Sequence, residues 1–211
     1  MSMIAIPDRG IYLASRSPRR RELLAQIGVR YHLLLFRSRA GELPDVPEDS
    51  LSGEAPAAYV ERMAREKAES GWRRMLQRNL PPAPVLAADT TVSLDGKIYG
   101  KPANREHAAD MLAALSGKRH EVLTAVALKN YEHVEFALSV SEVHLKALSA
   151  DDIAQYVASG ESDDKAGAYA IQGRAGRWVI ELRGSYSGVV GLPLYETSQL
   201  LDKLRERRNP Y

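Results

Sequence analysis

The 211-residue chain has no cysteine, which excludes a disulfide scaffold and a thiolate zinc site and suits a reducing compartment. It has no apolar run of about eighteen residues, and no apolar signal-type segment follows a basic start, so no membrane partner and no export are expected. The cytoplasm is the expected location. Five histidines (His32, His107, His120, His133, His144) are scattered without metal-ligand spacing, which argues against histidine-based zinc chemistry. No Gly-x-Ser-x-Gly elbow, no Gly-x-x-x-x-Gly-Lys-Ser/Thr loop and no Gly-x-Gly-x-x-Gly fingerprint is present. Acyl transfer on a serine and the two commonest glycine-rich phosphate cradles are thereby set aside.

What is present reads as one ordinary globular domain over 1–211: 45% hydrophobic and 27% charged residues suffice for a single sizeable core. The net charge of +2 is small but unevenly placed, with seven arginines and one acid, Glu22, between Arg16 and Arg39. That asymmetry favours an anionic ligand and leaves open whether it is a nucleotide or a nucleic-acid backbone.

The arginines gather where a protein would not place them for stability. Ile11 to Ala14 reads as a short buried strand, and Ser17-Pro18 as an N-cap and first helical residue. The helix to about Gly28 carries Arg19, Arg20 and Arg21 in its first turn, where free N–H groups and the dipole already supply positive potential. Either the arginines splay into solvent, or strand, loop and helix N-terminus form a cradle for a phosphate.

Further along, Tyr31 to Phe36 reads as a strand and Arg37 to Ala55 as a polar loop. The helix from Pro56 places Val60, Met63, Ala64 and Lys67 on one stripe. A lysine there either snorkels to the edge or meets an anion. Val85 to Leu94 reads as a strand closing on an Asp95-Gly96 hairpin, with Asp89 at its centre. A carboxylate among apolar neighbours pairs with a cation for structure, or serves a metal or a proton transfer. Lys101, before Pro102, extends from a loop edge beside that hairpin.

Asn104 caps a helix to Ser116, and His120 to Lys129 and Val134 to Leu148 are long strands. Ser149 with acidic Asp152 opens a helix to Gly160. Tyr169 to Gly173 and Trp178 to Leu182 read as short strands around a Gly-rich turn, and Leu194 to Arg205 as a closing helix. The fold class expected is α/β, a mixed sheet with flanking helices. Hard oxygen ligands and cations (Asp89, Glu48, Lys67, Lys101, Lys165, Arg19, Arg20) form an inventory that suits nucleotide hydrolysis with a divalent metal such as Mg or Mn, unless the lysines are simply solvated at the surface.

Several stretches carry a resemblance: Ser15-x-Ser17-Pro18-Arg19-Arg20-x-Glu22-Leu23-Leu24, Ala64-Arg65-Glu66-Lys67-Ala68, Ala88-Asp89-Thr90, Gly100-Lys101-Pro102, Asp164 to Tyr169, Gln172-Gly173 and Val190 to Pro193. In this order they resemble the Maf family of nucleoside triphosphate pyrophosphatases over nearly the whole chain. The resemblance implies cleavage between the α and β phosphates, a divalent metal, and a two-lobed architecture shared with inosine triphosphate pyrophosphatases, commonly dimeric. By motif position it implies Asp89 as proton acceptor, with Lys67, Lys101 and Glu48 as further catalytic groups and Asp89 and Glu48 toward the metal. Ser15, Ser17, Arg19 and Arg20 would lie at the phosphate loop, and Lys165 beside the substrate. The second carboxylate departs from the family pattern, since Pro47-Glu48 stands where Asp-Glu is usual, and Glu42 or Asp49 are the alternatives.

Three positions separate branches of the family. Arg19, Thr90 and Gln172 match the branch acting on dTTP and UTP, whereas the branch acting on 7-methyl-GTP shows Trp, Gln and Glu there. An aromatic face and a carboxylate suit a positively charged base, while Gln172 can pair its carbonyl and amide with N3–H and a ring carbonyl of thymine or uracil. The alternative function is a nucleic-acid-binding or septum-regulating interaction protein using the arginine patch. No recognition-helix or aromatic RNA-binding string accompanies it, so no stable nucleic-acid partner is expected.

Overall fold

The computed structural model describes residues 10–35 and 46–208. Within these residues seven strands form one mixed sheet: β1 (Ile11–Leu13), β2 (Tyr31–Leu33), β3 (Val85–Leu94), β4 (Lys97–Tyr99), β5 (Arg119–Asn130), β6 (His133–Leu145) and β7 (Val179–Arg183). Their order is β2-β1-β3-β5-β6-β7, with β4 also on β3. β1 runs parallel to β2 and β3, and every other pairing is antiparallel. Among the described residues six α-helices flank it: α1 (Pro18–Gln26), α2 (Pro56–Gln77), α3 (Arg105–Leu115), α4 (Ala150–Ala158), α5 (Tyr186–Val190) and α6 (Leu194–Arg208). The α/β class with a mixed sheet is therefore as the sequence predicts.

β3 organises the sheet because alternate side chains serve opposite faces. Val85 and Ala87 join the core beneath α2, together with Val60, Met63 and Ala64. Leu86 and Ala88 join the core made with Leu23 and Leu24 of α1 and Leu200, Leu201 and Leu204 of α6. Val92 and Leu94, further along, pack with Met111, Leu112 and Leu115 of α3 and Tyr156 of α4. Two separate cores thus share one face of the strand, and the residues between them are Asp89 to Thr91.

One edge of β3 is filled in halves. β1 pairs with Val85 and Leu86, and β4 with Val92 to Leu94, so among the described residues no strand pairs with Ala87–Thr91 on that side. The slot lies at the C-terminal end of β1, the kind of crevice in which open α/β sheets bind ligands. The hairpin turn at Asp95-Gly96 has positive φ at both residues, 52° and 78°, the geometry of a two-residue I′ turn.

Helix α2 lies unusually close to the sheet. A Cβ on Gly71 would sit 2.8 Å from Val85 Cγ1 and 3.0 Å from Ala14 Cβ, so only glycine permits this approach. Lys67, one turn earlier, is thereby brought down onto β3.

Some expectations need correction. β2 ends at Leu33; Phe36, the proposed end of that strand, and residues 37–45 of the loop lie outside the described residues. β6 stops at Leu145 rather than Leu148, because Leu148 N turns to donate to Ser116 Oγ (2.7 Å) as the chain enters the Ser149 cap of α4. That cap is a full capping box with Asp152, as predicted. Tyr169 to Gly173 is not a strand. Gly167 and Ala168 take φ of 67° and 59°, and the Ala170 amide donates to Tyr156 Oη (3.1 Å) rather than to a ladder. The short α5 was not foreseen; it rests on Ser185, whose Oγ accepts from Gly188 N.

His120 on β5 is 3% exposed, with Nε2 2.8 Å from Tyr169 Oη. Burial lowers its pKa from 6.5 to about 4. The folded state therefore resists protonation of this ring, so its contribution is complete above pH 6.5 and is lost as the pH falls toward 4. Urea unfolding at pH 7 and pH 4.5 is expected to show a loss of up to about 3 kcal/mol in the unaltered chain. His120→Gln should have a smaller loss over the same interval.

Candidate active site

At the slot, a cavity of about 480 Å³ is lined by β1's outgoing loop, the start of α1, β3, the Gly100-Lys101 edge, and the segments 164–172 and 189–191. That volume is in the range of small-molecule sites. Six cationic side chains and three acidic ones line it: Arg16, Arg19, Arg20, Lys67, Lys101 and Lys165 against Glu48, Asp89 and Asp164. The positive excess favours a multiply charged anion.

The first wall is built by serines. Ser15 Oγ accepts from Ser17 N (3.2 Å), and Ser17 Oγ caps α1 by accepting from Arg20 N (3.5 Å). The loop is thus curled over the helix N-terminus, whose free amides form the electropositive end.

Arg20 turns inward. Its Nε donates to Gly191 O (2.7 Å), Nη1 to Ser15 Oγ (3.4 Å) and Nη2 to Thr90 Oγ1 (3.3 Å). Burial lowers its pKa, and Asp89 opposes that shift. Three of the five guanidinium N–H groups thereby tie α1 to β3 and to the turn after α5, so Arg20 braces the cavity as well as lining it. Thr124 Oγ1, fully buried on β5, donates to Gly188 O (2.7 Å) and lies 3.0 Å from Thr90 Oγ1, extending the brace beneath the floor.

The chemical centre is an ammonium shared by two carboxylates. Lys67 Nζ donates to Asp89 Oδ1 (2.7 Å) and to Glu48 Oε1 (2.6 Å), while Lys101 Nζ donates to Glu48 Oε2 (2.7 Å). The lysine on the apolar stripe of α2 thus meets anions instead of snorkelling. Burial alone would raise the Glu48 carboxyl, but Lys67 and Lys101 outweigh it and bring it down to about 2. Glu48 is consequently ionised throughout the neutral range. Of the alternatives to it, Asp49 presents its backbone carbonyl to Arg62 (3.1 Å), and Glu42 lies outside the described residues.

Arg19 and Lys165 complete the cationic side. Burial lowers the pKa of each, and Arg19 lowers Lys165 further, so two cations turn toward the same space. Glu161 and Asp163 oppose the shift at Lys165, whose ammonium also contacts Asp164. Gly167 N donates to Gly100 O (3.1 Å), joining the Lys165 segment to the Lys101 edge. Gln172 stands at the exposed rim beside Ile171 and Ala170. Every site residue expected from sequence, namely Ser15, Ser17, Arg19, Arg20, Glu48, Lys67, Asp89, Thr90, Lys101, Lys165 and Gln172, lines this one cavity.

Tyr59, Asp164 and Tyr169, to which the sequence assigned no role, also line it. Tyr59 was within reach, since it lies two turns before Lys67 on the same helix. Its hydroxyl donates to Glu48 O (2.9 Å), and burial, then Asp89 and Glu48, push its pKa up to about 12.

An α/β protein whose sheet slot gathers cations around two lysine-bridged carboxylates has the equipment of a hydrolase for phosphorylated ligands. Comparison with known proteins narrows this. Residues 10–204 match the model of the family described as Maf-like protein. A curated dTTP/UTP pyrophosphatase of Nitrosomonas europaea is 54% identical over 95% of this chain and 97% of its own length. Those of Aromatoleum aromaticum (55%, covering 91% and 94%) and Nitrosospira multiformis (54%, covering 93% and 95%) are similar to the same degree. The chain belongs to the Maf family. Among solved structures, the Staphylococcus aureus Ham1 protein aligns over 64% of this chain and 71% of its own at 16% identity. Its TM-score is 0.42, too loose a likeness to argue from.

The brace is open to a direct check. Arg20→Lys keeps the charge but cannot reach three acceptors at once, and urea unfolding is expected to show a loss of about 2 kcal/mol. The neighbouring Arg21→Lys should change stability by no more than about 0.5 kcal/mol.

Proposed function

We propose that this chain hydrolyses dTTP and UTP to the monophosphate and pyrophosphate. The observation that carries the proposal is the Asp89–Lys67–Glu48 bridge at the floor of a cation-lined cavity, in a family whose similar members are curated as dTTP/UTP pyrophosphatases. Arg20 is turned into the cavity rather than onto an open patch, and both carboxylates would repel a nucleic-acid backbone, so the interaction-protein alternative is not retained.

The triphosphate would lie against the α1 N-terminus, with Arg19, Lys101 and Lys165 offsetting its charge. Asp89, held at a fixed point by Lys67, takes the proton of a water whose oxygen attacks the α phosphorus. The bond from that phosphorus to the bridging oxygen breaks, and pyrophosphate leaves with the bond's electron pair. A divalent metal fits the residues present. Asp89 and Glu48 are hard oxygen donors held close together by Lys67, and both would hold the ion through lone pairs that the lysines leave free. Among the described residues no group of three or more His, Cys, Asp or Glu is placed to hold a metal, so phosphate oxygens would complete its coordination, as is usual for magnesium. When bound, magnesium or manganese supplies neutralisation of charge on the phosphate oxygens.

Base choice falls to Arg19, Thr90 and Gln172, with the Gln172 amide facing the N3–H and carbonyl of a pyrimidine that cytosine does not reproduce. The family resemblance supports a homodimer, which light scattering would read. A cytoplasmic location is part of the proposal; among the described residues no helix is long and apolar enough to cross a membrane.

Pyrophosphate release from a panel of nucleoside triphosphates with magnesium or manganese tests the reading. dTTP and UTP should lead, and no turnover on any nucleotide would end it. Asp89→Asn should lower turnover by roughly 10²-fold or more while melting stays near that of the unaltered chain, because Lys67 keeps its bond to Glu48. A large drop in melting with turnover spared would instead make Asp89 half of a structural ion pair. Gln172→Glu should lose activity selectively on dTTP and UTP, by roughly 1–3 kcal/mol of transition-state binding; equal losses on every nucleotide would remove Gln172 from base choice.

A further inference from the structure

Glu48 is the one carboxylate of the cluster that no regular element supports. It lies in a segment, 46–55, that is neither helix nor strand, and its side chain is 40% exposed, yet each carboxylate oxygen ends within 2.7 Å of a lysine nitrogen. Loops of this kind sample many conformations unless tied down. We infer that Tyr59 and the Arg62–Glu54 ion pair form a clamp on the face of α2 that positions Glu48. The inference rests on the reading of Glu48 as an active-site carboxylate.

The clamp has two arms. Tyr59 Oη donates to the Glu48 backbone carbonyl (2.9 Å), so it holds the residue's own main chain. Tyr59 is 7% exposed and packed in the core beneath α2, so the hydroxyl comes from a fixed ring. Arg62, one turn further on, donates from Nη2 to Asp49 O (3.1 Å) and forks onto Glu54 through Nε (2.7 Å) and Nη2 (2.7 Å). Glu54, its side chain 8% exposed in that pair, accepts from Leu51 N (3.0 Å), and Glu54 N donates to Leu51 O (3.0 Å).

The loop is therefore pinned at 48, 49, 51 and 54 from positions 59 and 62 of α2, and Lys67 two turns later on the same helix receives the Glu48 carboxylate. One rigid helix carries both the anchor of the Glu48 backbone and the partner of its side chain. Their separation is set by helix geometry rather than by the loop. A bidentate guanidinium–carboxylate pair is also the ion pair best suited to fix a direction. Tyr59, Arg62 and Glu54 act through Glu48 and are positioning residues.

A double-mutant cycle on the full chain tests this. Tyr59→Phe keeps the packed ring and removes only the hydroxyl. It is expected to lower kcat for dTTP about tenfold, the scale of one well-placed hydrogen bond, with KM within about twofold and melting little changed. Arg62→Lys, which cannot fork, should act in the same direction. In a Glu48→Gln background, Tyr59→Phe should cost nothing further. Deuterium uptake of 46–52 should rise in Tyr59→Phe while that of 56–67 stays as it was. A full additional tenfold loss in the Glu48→Gln background, or unchanged uptake at 46–52, would overturn the clamp. If Glu48→Gln turns dTTP over like the unaltered chain, the reading of Glu48 as an active-site group falls. The clamp is then upheld or rejected by the uptake at 46–52 alone.

Discussion

The Lys67 ammonium, shared by Asp89 and Glu48, is the constraint on which the rest of the arrangement depends. A carboxylate that is 9% exposed in the middle of a strand is costly without a cation, and Lys67 is the cation that meets it. For the ammonium to arrive, α2 must lie close on β3, which is what Gly71 against Val85 and Ala14 allows. Once there, the same nitrogen draws in Glu48 from a loop, and Lys101 takes that residue's other oxygen. Four segments of the chain are thus held together by charge.

Around that point the fold leaves room. β3 is paired by β1 at one end and β4 at the other, and the two cores on its α1 face are separate. The slot between them would be a weakness in a purely structural protein. Here Arg20 spans it, bonded to Ser15, Thr90 and Gly191, while Arg19 and Lys165 stay turned toward the cavity. The cation that braces and the cations that line the cavity without bracing it are therefore different residues, although Arg19 and Arg20 are adjacent in the chain.

Much of this was legible in the residues. The strand–Ser-Pro–helix start, the Asp95-Gly96 hairpin, the Asn104 and Ser149 caps and the stripe of α2 were all readable from local chemistry, because caps, turns and periodicity are decided within a few residues. The anomalies were legible too: arginines at a helix N-terminus, a lysine on an apolar stripe and an aspartate inside an apolar strand each demand a partner. What failed was the segment 169–173, where a strand-like string yields to positive φ at Gly167 and Ala168 and to a bond from Ala170 to Tyr156. That bond comes from another helix and has no local trace.

The sequence by itself determined the kinds of group present and that several could not be left unpaired, since desolvation penalties depend on residue type and immediate surroundings. Only the tertiary structure decided which partner each group takes. Lys67 could have snorkelled, Asp89 could have paired elsewhere, and Asp49 stood as an alternative to Glu48 until the loop's path placed the Glu48 carboxylate on Lys67 and Lys101 and turned the Asp49 carbonyl to Arg62. The division of labour between Arg19 and Arg20 likewise follows from where the Gly191 turn and Thr90 fall in space. Pairing across 19, 22, 53 or 171 positions of chain is fixed by how whole elements pack, and that information is spread over the cores rather than held at the residues that pair.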